Sequence, residues 1–436
     1  MSAQDVSALP PKPVSLYPIL GVNFVGTLGF SIVLPFLVFL VLDLGGNALI
    51  YGIMGATYSV FQLVGAPILG RWSDIYSRKK ILLLSQIGTL LSWGIFLTAL
   101  YLPLQNFLEV DSQLLGKFSL TLPLIILFVA RALDGITGGN VSVANAYLAD
   151  ITDEKHRSEN FGKMAISGNL GFIVGPAIAG LIGATALGET LPVMAAMGIS
   201  LVATFMIIFQ LPESQPCVMQ SHPEEQNVRK IFGQEHKECY NIQTPEDISL
   251  KEVFQLAHVP YVMVLYFLVF LGFNLFYIAF PVHAAQTLQW DLTSTGVYFT
   301  FLSLAMVVVQ GPVLKWASQQ WSDGVLILAG SLILGLSFLC ILSSALWLIY
   351  AGAALLALGN GLMWPSVLSV LSKVAEEKYQ GTIQGIASSC GSLASILGLV
   401  LGGVLYNVVG VQVFILSAIF LLVVFFMSLK FLKLKM

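Results

Sequence analysis

Two charged residues stand alone in apolar sequence. Arg131 and Asp134 lie in "LIILFVARALDGITGGN", three positions apart, and so share one face of a helix. A charge at the centre of a membrane helix costs on the order of 3 kcal/mol, so such residues mark ion or substrate paths. Protonating Asp134 would leave Arg131 without its acid and alter local packing, which is the chemistry of a proton switch. A second reading stands beside it: a fixed same-helix ion pair that holds helices together. Both members are candidate proton-coupling residues.

A second charge cluster is "GRWSDIYSRKK", residues 70–80. Gly70 lets two helices approach closely. Asp74 sits at a helix C-terminus, where the helix dipole disfavours an anion, so it needs Arg78, Lys79 or Lys80 nearby. A few kcal/mol of ion pairing here is enough to hold one of two conformations shut. Alternatively, the basic residues simply retain this loop on one side. Polar and aromatic residues inside apolar stretches form the third set: Asn23, Tyr58, Gln62, Asn140, Asn145, Asn169, Asn274, Tyr277, Gln310, Asn360, Trp364 and Gln384. An amide in hydrocarbon is costly unless it meets a partner or water. Singly these are helix–helix hydrogen bonders. Together they suggest an amphipathic, nearly uncharged cavity for a small organic molecule. Cys217, Cys239, Cys340 and Cys390 have no metal-ligand spacing, and no nucleophile–base set is present. No metal, cofactor or enzyme activity is expected.

These residues need elements to position them. Of 436 residues, 57% are hydrophobic and only 10% charged, where soluble domains carry about a quarter charged. Lipid suits such a surface. The first apolar run, Leu16 to Leu42, exceeds a signal-peptide core and reads as a retained span. Windows of about 20 apolar residues give twelve spans. They lie near 16–42, 47–69, 81–104, 120–149, 161–184, 190–211, 259–285, 292–316, 323–344, 345–371, 383–407 and 409–431. The expected fold class is an all-α membrane protein with twelve transmembrane helices in two pseudo-symmetric six-helix bundles.

Placing the N-terminus inside puts 18 of the 20 Lys and Arg residues in inner loops and tails, with Lys117 outside and Arg131 in a span. The positive-inside rule therefore predicts both termini in the cytoplasm, and the inner membrane for a bacterial source. The domains follow: a tail 1–15, a first bundle 16–211, a cytoplasmic linker 212–258, a second bundle 259–431 and a tail 432–436. In the linker, Ser249 and Glu252 have capping-box spacing, and Ile248, Val253, Phe254 and Leu256 form one apolar face of a surface helix. Linker histidines His222, His236 and His258 offer the alternative of a regulatory site. A shift of 223 residues superimposes Gly138 on Gly361, Glu154-Lys155 on Glu377-Lys378, and Gly162, Gly168, Gly175 and Gly180 on Gly385, Gly391, Gly398 and Gly403. Six-span repeats are a transporter signature.

Three segments resemble the major facilitator superfamily. Residues 70–80 resemble its loop signature, with Ser77 in place of the second glycine. "RALDGITGGN" resembles its Arg-x-x-x-Gly element, and "GNLGFIVGPAIAG" its Gly-Pro antiporter element, through Gly171, Gly175, Pro176 and Gly180. "AYLADITDEKHRSENFG" is similar to the matching stretch of tetracycline and multidrug proton antiporters. The specific resemblance covers about residues 65–213; the second half resembles the family in span pattern. Its loop "GPVLKWASQQW" carries Lys315 at the Asp position and no Arg-Lys pair. The resemblance implies two six-helix bundles around a central cavity, rocking alternate access and proton-driven export. Pro176 lacks a backbone N–H and the glycines permit bending, so this element reads as a hinge or seal between halves, or else as ordinary small-residue packing. One departure bears on coupling. Many proton-coupled exporters of the family carry an acid in the first span, three residues before a glycine; here Gly26 stands there, ahead of Gly29.

The expectation is thus a monomeric secondary transporter whose partners are a small-molecule substrate, protons and membrane lipid, with no nucleic acid. Proton-coupled efflux is the first reading. An uptake carrier or uniporter for a metabolite is the second, and a non-transporting receptor or assembly factor the third.

Overall fold

The computed structural model describes residues 15–113, 115–138, 140–152, 157–183, 185, 188, 190–213, 256, 258–374 and 380–433. The expected surface helix, apart from Leu256, lies outside these residues, as do His222, His236 and both extreme termini. The first half of the chain holds α1 (Tyr17–Ser31), α2 (Leu34–Asp43), α3 (Ala48–Ile75), α4 (Arg78–Ala99), strands β1 (Asn106–Ser112) and β2 (Gly116–Thr121), α5 (Leu122–Thr137), α6 (Asn140–Asp150), α7 (Arg157–Gly183) and α8 (Thr190–Phe209). The second half holds α9 (Val259–Gln286), α10 (Leu292–Val308), α11 (Leu314–Gln320), α12 (Asp323–Cys340), α13 (Leu346–Val374), α14 (Gln380–Val409) and α15 (Val413–Ser428).

Local chemistry places the breaks. Pro35, in the first turn of α2, lacks an N–H and divides the first expected span into α1 and α2. Pro312 lies in a π-helical turn, Val309–Val313, that joins α10 to α11. Asn47 starts α3 by accepting from Ile50 N–H at 3.1 Å, and Thr121 starts α5 by accepting from Leu124 N–H. Asp291 starts α10, accepting from Ser294 N–H at 2.8 Å; hydrogen bonds from Ser294 hold its carboxyl below the usual range.

Among the described residues, nine helical segments are long and apolar enough to cross a membrane. The twelve expected segments differ from these nine for visible reasons. Ile166–Ile182 is apolar but shorter, and Ser389–Ser428 runs as one stretch through the tight turn Gly410–Gln412. The remaining span is divided between α5 and α6.

The all-α expectation needs one correction. Residues 106–121, expected as connecting sequence, form an antiparallel hairpin. Leu108 pairs with Leu120 and Val110 with Phe118, while Glu109 faces Ser119 and Asp111 faces Lys117. Alternation of apolar and polar residues and Gly116 at φ +74° supply what a hairpin needs. Ser119 N–H donates to Gly45 O at 2.7 Å, and the Thr121 hydroxyl donates to Leu44 O at 2.7 Å, tying the hairpin to the α2–α3 turn.

Helix pairings recur between the halves. In the first, α1 packs on α7 and α8, α4 on α5 and α8, and α3 on α5. In the second, α9 packs on α14 and α15, α12 on α13 and α15, and α10 on α13. The halves meet mainly through two seams, α3 on α14 and α7 on α10. Both seams are tightest at the hairpin end. A Cβ on Gly180 would overlap the Gly296 backbone, and one on Gly403 would overlap the Ala48 carbonyl. Gly180 and Gly403 are one of the glycine pairs that the 223-residue shift superimposes. At the opposite end α3 is uncovered: Ala48 to Gly52 are buried all round, whereas Val60, Phe61, Leu63, Val64 and Ile68 are exposed.

Candidate functional site

A cavity of about 490 Å³ lies between the halves. Of the residues the sequence singles out, Arg131, Asp134, Asn23, Tyr58, Gln62, Asn274 and Tyr277 line it. Arg131 and Asp134 are 2% and 4% exposed, so α5 carries a truly buried charge pair. Their contact is loose: Arg131 Nη1 donates to Asp134 Oδ2 at 3.4 Å, where charge-assisted bonds run to about 2.7–2.9 Å. The guanidinium also lies 5.0 Å from the Tyr58 ring centroid and 5.5 Å from that of Phe30, a cation–π arrangement. The Thr89 hydroxyl lies beside the Asp134 carboxyl.

The remaining predicted cavity residues lie elsewhere. Trp364 stands one layer behind the wall, with its ring 5.2 Å from Tyr266 and 5.0 Å from Phe270. Gln310 reaches toward Met306 Sδ near the π-helical turn. Asn169 is exposed on α7, and Asn145 and Asn360 sit half-buried away from the cavity. The side chains of Asn140 and Gln384 are outside the described part of the structure. Residues absent from the sequence prediction do line the cavity: Tyr51, Gln86, Thr89 and Ser395. Gln86 and Thr89 are three apart in "LLLSQIGT", a same-face signal inside an apolar helix.

At the end away from the hairpin, Arg78 is 2% exposed. Its Nε donates to Asp150 Oδ2 at 2.8 Å and its Nη1 to the Ser73 hydroxyl at 2.7 Å. Ser73 in turn donates to Gly70 O at 2.6 Å. Lys79 donates to Ile208 O at 3.0 Å, at the end of α8, and Lys80 is exposed. The Asp74 side chain lies outside the described part. Asp150, at the end of α6, is the partner that the sequence analysis did not single out. Ser77 needs no glycine freedom: its φ of 164° is extended backbone, and its hydroxyl accepts from Lys80 N–H to start α4.

The second half has a counterpart that its loop sequence does not announce. Lys373 donates to Asp323 Oδ2 at 2.7 Å, and the Ser369 hydroxyl joins at 2.7 Å. Asp323 opens α12 as Arg78 opens α4, and Lys373 is the 223-residue mate of Asp150. The position is kept and the charges are exchanged. Among the α7 residues read as a hinge, Gly171 and Gly175 press on α1, where the Ser31 hydroxyl donates to Gly171 O at 2.9 Å. Gly180 forms the seam with α10, and Pro176 lies within α7.

The Major Facilitator Superfamily model matches residues 19–256 and 262–435, and the chain belongs to that family of membrane transporters. Tetracycline resistance protein, class E, of Escherichia coli is 26% identical over 88% of this chain and 86% of its own. Multidrug resistance protein 1 of Bacillus subtilis (strain 168) is 26% identical over 91% of both. Among solved structures, the human organic anion transporter MFSD10 (TETRAN) matches with TM-score 0.65 at 20% identity, over 96% of this chain and 100% of that one. A peptide transporter POT in complex with sulfate matches with TM-score 0.69 at 14% identity, over 96% and 94%. These structural likenesses concern the fold. The chain is a multi-pass membrane protein.

Proposed function

We propose that this chain is a secondary transporter that moves a small organic molecule by alternating access, with Asp134 as its proton carrier. The observation that carries this reading is a buried Arg131–Asp134 pair on the wall of an inter-half cavity. In this reading the spans number twelve, in two six-helix bundles, 16–211 and 259–431, joined by the cytoplasmic linker 212–258. Both termini are cytoplasmic, the hairpin is outside, and the conformation is closed outside and open inside. The Gly180–Gly296 and Gly403–Ala48 seams act as the outer seal. Arg78, with Gly70, Asp74, Lys79 and Lys80, acts as a conformational latch through Asp150, which in this open-inside state ties α4 to α6 within the first half.

Relatives named for tetracycline and multidrug resistance support export. A second reading, uptake of a metabolite, is favoured by Gly26, which lines the cavity where many antiporters of the family place an acid. Inverted vesicles decide between them. Export driven by protons predicts accumulation of organic compounds inside them when a pH gradient is imposed. Absence of pH-gradient-dependent flux in either direction across compounds of all charges overturns the transport reading. Asp134→Asn should abolish the gradient dependence while the protein stays folded; unchanged flux removes Asp134 as the carrier.

A further inference from the structure

The hydrogen-bonding inventory of the cavity wall points to the chemistry of its cargo, given the transport reading above. Arg131 carries five N–H donors. Among the described residues it bonds only to Asp134, through one nitrogen at 3.4 Å. Its Nε is buried and has no acceptor. A buried donor without an acceptor is destabilising, the more so on a charged group. The guanidinium edge that includes Nε has the planar fork geometry that a carboxylate matches with two oxygens.

The four amides on the wall are arranged the opposite way. The Asn23 amide nitrogen donates to Met164 O at 2.9 Å, and that of Gln62 donates to Gly138 O at 3.2 Å. The Gln86 nitrogen donates to the Ser200 hydroxyl at 2.7 Å, and that of Asn274 to Phe270 O at 2.8 Å. The four amide oxygens take no hydrogen bond from the described residues. The wall therefore offers one charged donor site, at Arg131, four acceptor oxygens on the amides, and hydroxyls such as those of Tyr51 and Tyr277 that can do either. Aromatic faces flank both: Phe30 and Tyr58 beside Arg131, and Phe270, Phe273 and Tyr277 from the second half.

Charge decides the sign of the cargo. Empty, the pair of Arg131 and ionised Asp134 is neutral. A cation would add an uncompensated positive charge beside the buried Arg131 guanidinium. An anion on Arg131 keeps the site neutral if one proton moves from water onto Asp134.

We infer that the cargo is a small aromatic acid bearing a hydroxyl or amine. It is held as its anion with the carboxylate forked on Arg131 in place of Asp134. Binding then takes up one proton and one anion together, and release gives back both. No bond of the cargo is made or broken. Anion and proton travel in the same direction, which joins this inference to the uptake reading.

The test uses the full chain in lipid nanodiscs, with 4-hydroxybenzoate, 4-hydroxybenzamide and 4-hydroxybenzylamine as probes. Affinity is read from tryptophan quenching, since Trp93 lines the cavity. The benzoate should bind at least about tenfold tighter than the amide or the amine, since a charge-assisted fork is lost in both. Its affinity should rise from pH 8 to pH 6 with about one proton taken up per anion, read with a pH dye. Arg131→Lys keeps the charge without the fork and should weaken the benzoate about tenfold. Asp134→Asn should bind the benzoate at pH 8 as the unaltered protein does at pH 6, with no proton uptake. Should Arg131→Lys fail to fold, the charge series and Asp134→Asn carry the test. Amine or amide binding equal to or tighter than the benzoate overturns the inference, as does failure of all three to bind. In proteoliposomes, carriage of neutral or cationic compounds without preference for anions overturns it while leaving transport standing. Absence of flux for compounds of every charge overturns both.

Discussion

The two halves share packing and differ in chemistry. Helix pairings recur, and the repeat-related Gly180 and Gly403 close equivalent seams. Among the described residues, however, the first half buries Arg78, Arg131 and Asp134, while the second buries only His283 from the Asp, Glu, Lys, Arg and His set. His283 meets neutral partners: its Nδ1 lies 3.1 Å from the Tyr406 hydroxyl, which also meets Thr287. The second half adds aromatic rings, an amide and hydroxyls to the cavity. Glycine spacing is under the geometric constraint of helix contact, which both halves share. Charge is under no such constraint, so it has become concentrated on one side. A cavity built this way can bind between two walls while keeping its ionisable chemistry on a single helix, α5.

The sharpest way to break this asymmetry is to exchange removals across the cavity. Asp134→Asn should lower gradient-driven flux in proteoliposomes about a hundredfold, whereas Asn274→Ala on the facing wall should lower it about threefold. Comparable losses would show both halves to be chemical. Next comes the seam: Gly180→Leu overlaps the Gly296 backbone, so the hairpin end should fail to close. Flux should fall about tenfold, because packed cores switch between arrangements and do not deform continuously. Labelling of Tyr51→Cys by a membrane-impermeant thiol reagent should rise in parallel. The ion pairs come third. Asp150→Asn should destabilise the protein by about 3 kcal/mol, as loss of one member of a buried pair does. Asp323→Asn should cost under about 1 kcal/mol, since Lys373 is half exposed. Thermal unfolding in detergent reads both. Equal effects would make the exchanged pair the energetic equal of its counterpart.

Much of this was legible in the residues because membranes punish exceptions. Arg131 and Asp134 stand out since the other charges within expected spans, Lys163, Lys315, Asp323 and Lys430, lie at span ends. Hydropathy likewise outlines the helices. Facing direction is less legible. Asn274 and Trp364 look alike as polar or amphipathic interruptions, yet only Asn274 reaches the cavity. Which face of α9 or α13 turns inward depends on packing partners far away in sequence. Tyr51 and Gln86 belong to the site through the same long-range geometry. The exchanged pair of Asp323 and Lys373 is hidden because "GPVLKWASQQW" carries neither member, and the partner charges sit on helix ends 50 residues apart. The hairpin was readable in "NFLEVDSQLLGKFSLT", where apolar alternation is present but short.

The last predicted effect concerns that hairpin. The Leu115 carbonyl accepts from Asn47 Nδ2 at 2.8 Å and from Asn407 Nδ2 at 3.2 Å, one from each half. Asn407→Ala should shift the open–closed ratio about fivefold, worth about 1 kcal/mol, read by the same thiol labelling. One oxygen shared between two moving bodies has a pharmacological corollary. In the proposed orientation the hairpin faces the exterior and Asp111 and Lys117 are well exposed at its surface. An antibody fragment raised against residues 106–121 could therefore arrest the cycle from outside, as an inhibitor that never competes with cargo.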